Sequence, residues 1–148
     1  MPARRYLQLD VFAPRPGAGN PLGVILDSEG LDTAAMQALA AWLNLSETIF
    51  FLPPDEGASY RIRIFTPSGE LPFAGHPSVG AAWAAVTSGL AQPQEGRLVQ
   101  QCAAGLLPVH VSGPEGAPTI LLASPPAQQH PTAPGAVPEQ LQALLVSG

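Results

Sequence analysis

Residues Phe65 to Gly80 read FTPSGELPFAGHPSVG, and the rest of the chain is organised around them. Pro67 and Gly69 mark a turn. Gly75-His76-Pro77 opens a helix at His76, with Pro77 suited to the first helical position, where its missing N–H is not needed. From Ser78 to about Ser88 the sequence is SVGAAWAAVTS, with no charge and no polar stripe. A helix apolar all round is a buried helix, so Val79, Ala82, Trp83 and Val86 are expected against strands. The first N–H groups of such a helix lack partners and carry its positive dipole end, which suits a carboxylate or phosphate. His76 beside them can donate a hydrogen bond or move a proton near neutral pH. The same three residues also suit a plain tight turn with His76 as a polar cap, and local chemistry leaves both readings open.

Upstream, Tyr6 to Ala13 alternates like a strand, and Pro14 to Pro21 is a loop by its breaker residues. Leu22 to Asp27 is a second strand. Asp32 or Thr33 can cap a helix from Ala34 to about Leu43, in which Met36, Leu39, Ala40 and Leu43 follow helical spacing. Asn44 to Thr48 leads into the strand Ile49–Leu52, where Glu47 shares a face with Ile49 and Phe51. If that face is the inner one, Glu47 is partly desolvated, as proton transfer near neutral pH requires. A glutamate on the surface at a strand end is the commoner arrangement.

Downstream of the turn Pro53–Gly57, the strand Tyr60–Thr66 puts Arg61 and Arg63 on one face and Ile62 and Ile64 on the other. A solvated face explains the arginines better than an anion site does. Arg97–Ala103 and Leu106–Ser112 form a hairpin around Ala104-Gly105, with Cys102 as a small core residue and His110 on the surface. Thr119–Ala123 is a short last strand. Prolines then crowd Pro114 to Pro138, which reads as an extended linker; His130 has no partner there. A helix starts at Pro138-Glu139, with Leu141, Leu144 and Leu145 on one face.

The totals exclude several classes. A chain of 148 residues with 46% hydrophobic and 11% charged content is a globular domain, burying about 68–70% of its unfolded surface. Net charge is −5 and all six basic residues are arginine, so nucleic acid is not an expected partner. The single cysteine offers neither an internal disulfide nor a thiolate metal site and fits a reducing, cytoplasmic setting. The first residues lack the apolar core of a signal peptide, and no apolar run is long enough to span a bilayer, so no membrane partner is expected.

Four blocks together are similar to the phenazine-biosynthesis PhzF-like family, within the wider diaminopimelate-epimerase-like fold. They are Asp10-Val11-Phe12 with Gly19-Asn20-Pro21; Asn44-Leu45-Ser46-Glu47-Thr48; Arg63-Ile64-Phe65-Thr66-Pro67; and Glu70-Leu71-Pro72-Phe73-Ala74-Gly75-His76-Pro77. The resemblance implies an α+β domain, a β-barrel-like mixed sheet wrapped around the central helix, which is one of two similar halves flanking a cleft. It implies a cofactor-independent isomerase that shifts a proton on a small carboxylate-bearing substrate. Glu47 would transfer the proton, Gly75 and His76 would bind substrate, and Asn20 is assigned to the cleft lining; no metal is implied. Residues 1–124 then form the N-terminal half, and 125–148 the Pro-rich crossover and the start of a second domain missing from this sequence. Such a half is expected to act with that second domain or as a homodimer. Two other readings remain: a non-catalytic module that binds small anions, and an interaction protein that completes its fold by dimerisation.

Overall fold

The computed structural model describes residues 2–126. Beyond Pro126, the expected crossover and terminal helix lie outside the described residues. The elements follow in the order β1 (Tyr6–Val11), β2 (Asn20–Ile25), α1 (Thr33–Leu43), β3 (Glu47–Leu52), β4 (Tyr60–Phe65), β5 (Glu70–Leu71), α2 (Gly75–Thr87), β6 (Arg97–Cys102), β7 (Gly105–Ser112) and β8 (Thr119–Leu122). All strands belong to one mixed sheet ordered β1-β2-β3-β4-β6-β7-β8, with β5 paired to β4. Two of its pairings are parallel: β2 with β3, which sets Leu22 beside Glu47, and β4 with β6, which sets Tyr60 beside Gln100. Parallel neighbours need a long crossover. α1 makes the first and α2 the second, and the two helices lie on opposite faces of the sheet.

Strand alternation sorts the core into two clusters. On the inner face Leu22, Val24, Ile49, Phe51, Ile62 and Ile64 surround α2. On the outer face Ile25, Phe50 and Phe65 pack with Met36 and Ala40 of α1, and the Phe50 and Phe65 rings meet edge to face, 5.4 Å apart. α2 touches β1, β2, β3, β4 and β8, so both end strands lie against one helix and the sheet curls around it as a half-barrel. Small residues make that close approach possible. Gly80, Ala81, Ala82, Ala84 and Ala85 are buried, and a Cβ at position 80 would sit 2.4 Å from Leu22 Cδ2.

The structure corrects the sequence reading at four points. α2 is not buried all round: Trp83 is 36% exposed, and Val79 and Val86 are only partly buried. Trp83 and Val79 line a groove of about 380 Å³ with Leu9, Phe12, Pro118 and Ile120, because the end strands β1 and β8 do not pair with each other. α2 starts at Gly75, which puts Pro77 third in the first turn, still where no intrahelical N–H is needed. β2 starts at Asn20, inside the stretch read as loop. The two-residue β5 was not expected at all. Opposite charges at Arg63 and Glu70, flanking a Thr-Pro-Ser-Gly turn, are the signal for it. Among the described residues no helix is long and apolar enough to cross a membrane.

Candidate active site

Three local devices bring the site residues to one end of the half-barrel. The first ends α1. Asn44 adopts the left-handed conformation (φ 53°) and its N–H donates to the Ala40 carbonyl, a conformation that asparagine tolerates better than most residues. The chain turns there, and β3 begins three residues later with Glu47. The second fixes the loop before β2. Asp10 accepts a hydrogen bond from the Gly17 N–H at 2.6 Å. Position 19 lies so close to β1 that a Cβ there would be 2.4 Å from the Val11 carbonyl oxygen, so only glycine fits. Asn20 follows directly, opposite Val11.

The third device is the tight β4–β5 hairpin. Thr66 Oγ1 accepts from the Ser68 and Gly69 N–H groups, and the Thr66 N–H donates to the Gly69 carbonyl at 2.7 Å. Across this turn Arg63 makes two 2.7 Å hydrogen bonds to Glu70 and a third to Thr33 Oγ1 at 2.9 Å. Glu70 is held below its usual pKa by those hydrogen bonds and by the guanidinium charge, against a smaller opposing effect of burial. Arg63 is thus committed to a structural pair on the α1 side of the sheet and is not an anion site. Pro72 and Phe73 then lead into α2.

α2 begins without a side-chain cap. Ala74 has the extended conformation of an N-cap residue (φ −151°, ψ 137°) but no oxygen to accept from the first turn. The Gly75 and His76 N–H groups are therefore left for another acceptor, and Pro77 has none to offer. The His76 ring spans the space between β2 and β3. Its Nε2 lies 3.3 Å from the Asn20 carbonyl oxygen, and its Nδ1 lies 2.9 Å from Glu47 Oε2. Both side chains are largely buried, 13% exposed for His76 and 19% for Glu47. The N–H direction at Nδ1 is poor for a hydrogen bond, so Glu47 Oε2 is buried in close contact with the ring but without a well-aligned donor.

The tautomer follows from the partners. A main-chain carbonyl can only accept, so Nε2 carries a proton. Nδ1 is then the ring nitrogen turned to Glu47 Oε2. A carboxyl and an imidazole in contact beside free backbone N–H groups can both move a proton and stabilise an anion.

The sequence-derived candidates therefore sit as follows. Glu47 and His76 are in contact, Gly75 supplies a free N–H beside them, and Asn20 meets His76 through its main-chain carbonyl while its residue as a whole is exposed. Cys102 is buried and unpaired in the β6–β7 hairpin, and His110 is exposed on β7. The groove beside Trp83 and a second recess of about 300 Å³ under Phe51 and Tyr60 both exclude the Glu47–His76 pair. Chemistry rather than concavity marks this site.

A curled mixed sheet around a central helix is the architecture of this chain, and the comparisons with known proteins accord with it. The model of the PhzC-PhzF family, phenazine biosynthesis-like protein, matches residues 9–145, so the chain belongs to that family. A crystal structure of a PhzF-family phenazine biosynthesis protein from Bacillus anthracis superposes with a TM-score of 0.71 at 34% identity, over 79% of this chain and 39% of that one. The trans-2,3-dihydro-3-hydroxyanthranilate isomerase of Pseudomonas aeruginosa is 50% identical over 78 residues, 53% of this chain and 28% of that protein. Antisense-enhancing sequence 1 of Schizosaccharomyces pombe is 43% identical over 114 residues, 76% of this chain and 38% of that protein. The chain thus spans well under half the length of these relatives.

Proposed function

We propose that this chain supplies the proton-transferring wall of a PhzF-like isomerase acting on a small carboxylate-bearing substrate. The observation that carries the reading is the 2.9 Å approach of Glu47 to His76 at the uncapped start of α2. Glu47 as carboxylate takes a proton from a carbon next to a π-system. The C–H electron pair moves into that system, and the same proton returns to the far carbon, so the substrate's double bond shifts and no atom is gained or lost. The Gly75 and His76 N–H groups face the substrate carboxylate or the negative charge that develops in the transition state. Glu47 and His76 ask for no cofactor in this scheme. The substrate named for the Pseudomonas aeruginosa relative, trans-2,3-dihydro-3-hydroxyanthranilate, carries a carboxylate on a ring diene and has the chemistry this wall would meet.

The opposite wall comes from chain beyond this span or from a second copy. Positioning between two walls is worth roughly 7–11 kcal/mol of barrier, and one wall keeps little of it. A cytoplasmic location fits the lone unpaired cysteine. The test is turnover of trans-2,3-dihydro-3-hydroxyanthranilate by the intact protein, followed by proton NMR in deuterium oxide, alongside sedimentation of the 148-residue chain. Turnover by the intact protein and association of the shorter chain are expected. An intact protein that binds small carboxylates but never exchanges or moves a carbon-bound proton makes this a binding module instead.

A further inference from the structure

Four polar side chains are buried among the described residues, Ser28, Thr48, Ser78 and Gln100, and two of these are joined in a chain through the inside of the half-barrel. Tyr60, 2% exposed, donates from its hydroxyl to Gln100 Oε1 at 3.2 Å. Gln100 Nε2 donates to Ser78 Oγ at 3.0 Å. Ser78 Oγ donates to the Ala74 carbonyl at 2.7 Å, which also accepts the Ser78 N–H at 3.2 Å. The direction is fixed by this last link. With its proton committed to Ala74, the Ser78 oxygen can only accept, so the amide nitrogen of Gln100 faces it and the amide oxygen faces Tyr60.

The surroundings of this chain are apolar, and an apolar core needs no such network; a partly satisfied one is worse than none. Its far end is what distinguishes it. The Ala74 carbonyl belongs to the peptide that carries the Gly75 N–H, and the next residue is His76. With no side-chain cap at this helix start, the Ser78 hydroxyl adds a second hydrogen bond to the first peptide, beside that of the Ser78 N–H. The first two members of the chain rest on neighbouring strands, Tyr60 on β4 and Gln100 beside it on β6, so the sheet itself anchors the end away from the helix.

We propose that Tyr60, Gln100 and Ser78 are positioning residues: a buried relay that orients the Ala74–Gly75 peptide, aims the free N–H groups of α2 and seats the His76 ring against Glu47. The purpose given to the relay rests on the isomerase reading, but the geometry can be tested without turnover. Gln100→Met keeps the side chain's length and removes both of its hydrogen bonds. In the intact protein, amide exchange at Ser78 and Val79 should accelerate about tenfold or more, the effect of leaving buried partners unpaired, while Ala84 and Ala85 in the same helix keep their protection. The ring nitrogen resonances of His76 should move in the same variant. Ser78→Ala should reproduce both changes, and Ser78→Thr, which keeps the hydroxyl, should reverse them. A folded Gln100→Met protein with unaltered His76 resonances and unaltered Ser78 exchange overturns the relay. If Gln100→Met does not fold, Tyr60→Phe decides: it keeps the ring, removes only the outer anchor, and must shift the His76 resonances in the same direction. Local changes in a protein without isomerase turnover leave the relay standing and remove the isomerase reading; turnover with no local change does the reverse.

Discussion

The two helices cross the same sheet on opposite faces, and they differ most at their first turns. α1 is capped: Asp32 Oδ1 accepts from the Ala35 N–H at 2.8 Å. Large side chains, Met36 against Phe50 and Phe65, hold it to the outer face. α2 has no cap and packs through alanines and a glycine inside the curl. A capped helix on a broad apolar cluster is a structural part. A closely packed helix whose first N–H groups are left free is, in the proposed isomerase, the part that meets substrate, with the missing cap as its working end. Residue chemistry next to each start agrees, since the nearest ionisable pair is Arg63–Glu70 for α1 and His76–Glu47 for α2.

The largest expected effect comes from removing the proposed proton acceptor beside α2. Glu47→Gln in the intact protein should lower turnover by about 10²-fold or more with the thermal midpoint nearly unchanged; turnover that survives the substitution disqualifies Glu47 as the base. Next in size is the packing of α2. Gly80→Ala drives a Cβ into Leu22 and should cost about 1–3 kcal/mol of stability in denaturant unfolding, whereas Ala38→Gly on the exposed side of α1 should cost only about 1 kcal/mol, its loss of helix propensity.

Exchanging the caps sharpens the contrast. Asp32→Ala should cost about 1 kcal/mol without touching activity. Ala74→Ser should do the opposite to both. With Pro77 lacking an N–H, the new hydroxyl can cap only His76, gaining about 0.5–1 kcal/mol and occupying a group offered to substrate. A more stable and less active Ala74→Ser protein is the expected pairing; one that gains stability and keeps full activity takes the helix start out of the site.

The smallest effect is electrostatic. Glu70 is held below its ordinary pKa of 4.5 in the folded state, so the unfolded chain binds the proton more readily. The Arg63–Glu70 pair therefore contributes stability above pH 4.5, and loses it as pH falls through the lower folded value. Both side chains are partly exposed, at 23% and 32%, which limits the contribution to roughly 0–1 kcal/mol. Glu70→Gln should lower stability at pH 7 by that amount and have no effect near pH 2. An equal loss at both values means the charge contributes nothing.

Much of this was legible in the residues. Period-two alternation set out the strands of the inner and outer faces, Asp32 announced the start of α1, and the small apolar run after Gly75-His76-Pro77 marked the helix inside the sheet. Glu47 could be placed on the face of Ile49 and Phe51 by counting alone. These are local properties, fixed by the backbone geometry of a few consecutive residues. The sequence by itself could not say that Trp83 faces a groove, because that depends on β1 and β8 lying against one helix without pairing. Nor could it join His76 to the carbonyl of Asn20, 56 residues away, or Tyr60 to Gln100, 40 residues away. Main-chain carbonyls leave no mark in the side-chain pattern, and a buried glutamine reads like any polar strand residue. Those contacts come from two parallel pairings whose register is set by the packing of the whole sheet around α2. The local pattern supplied the site's parts, and tertiary structure alone decided which atoms met.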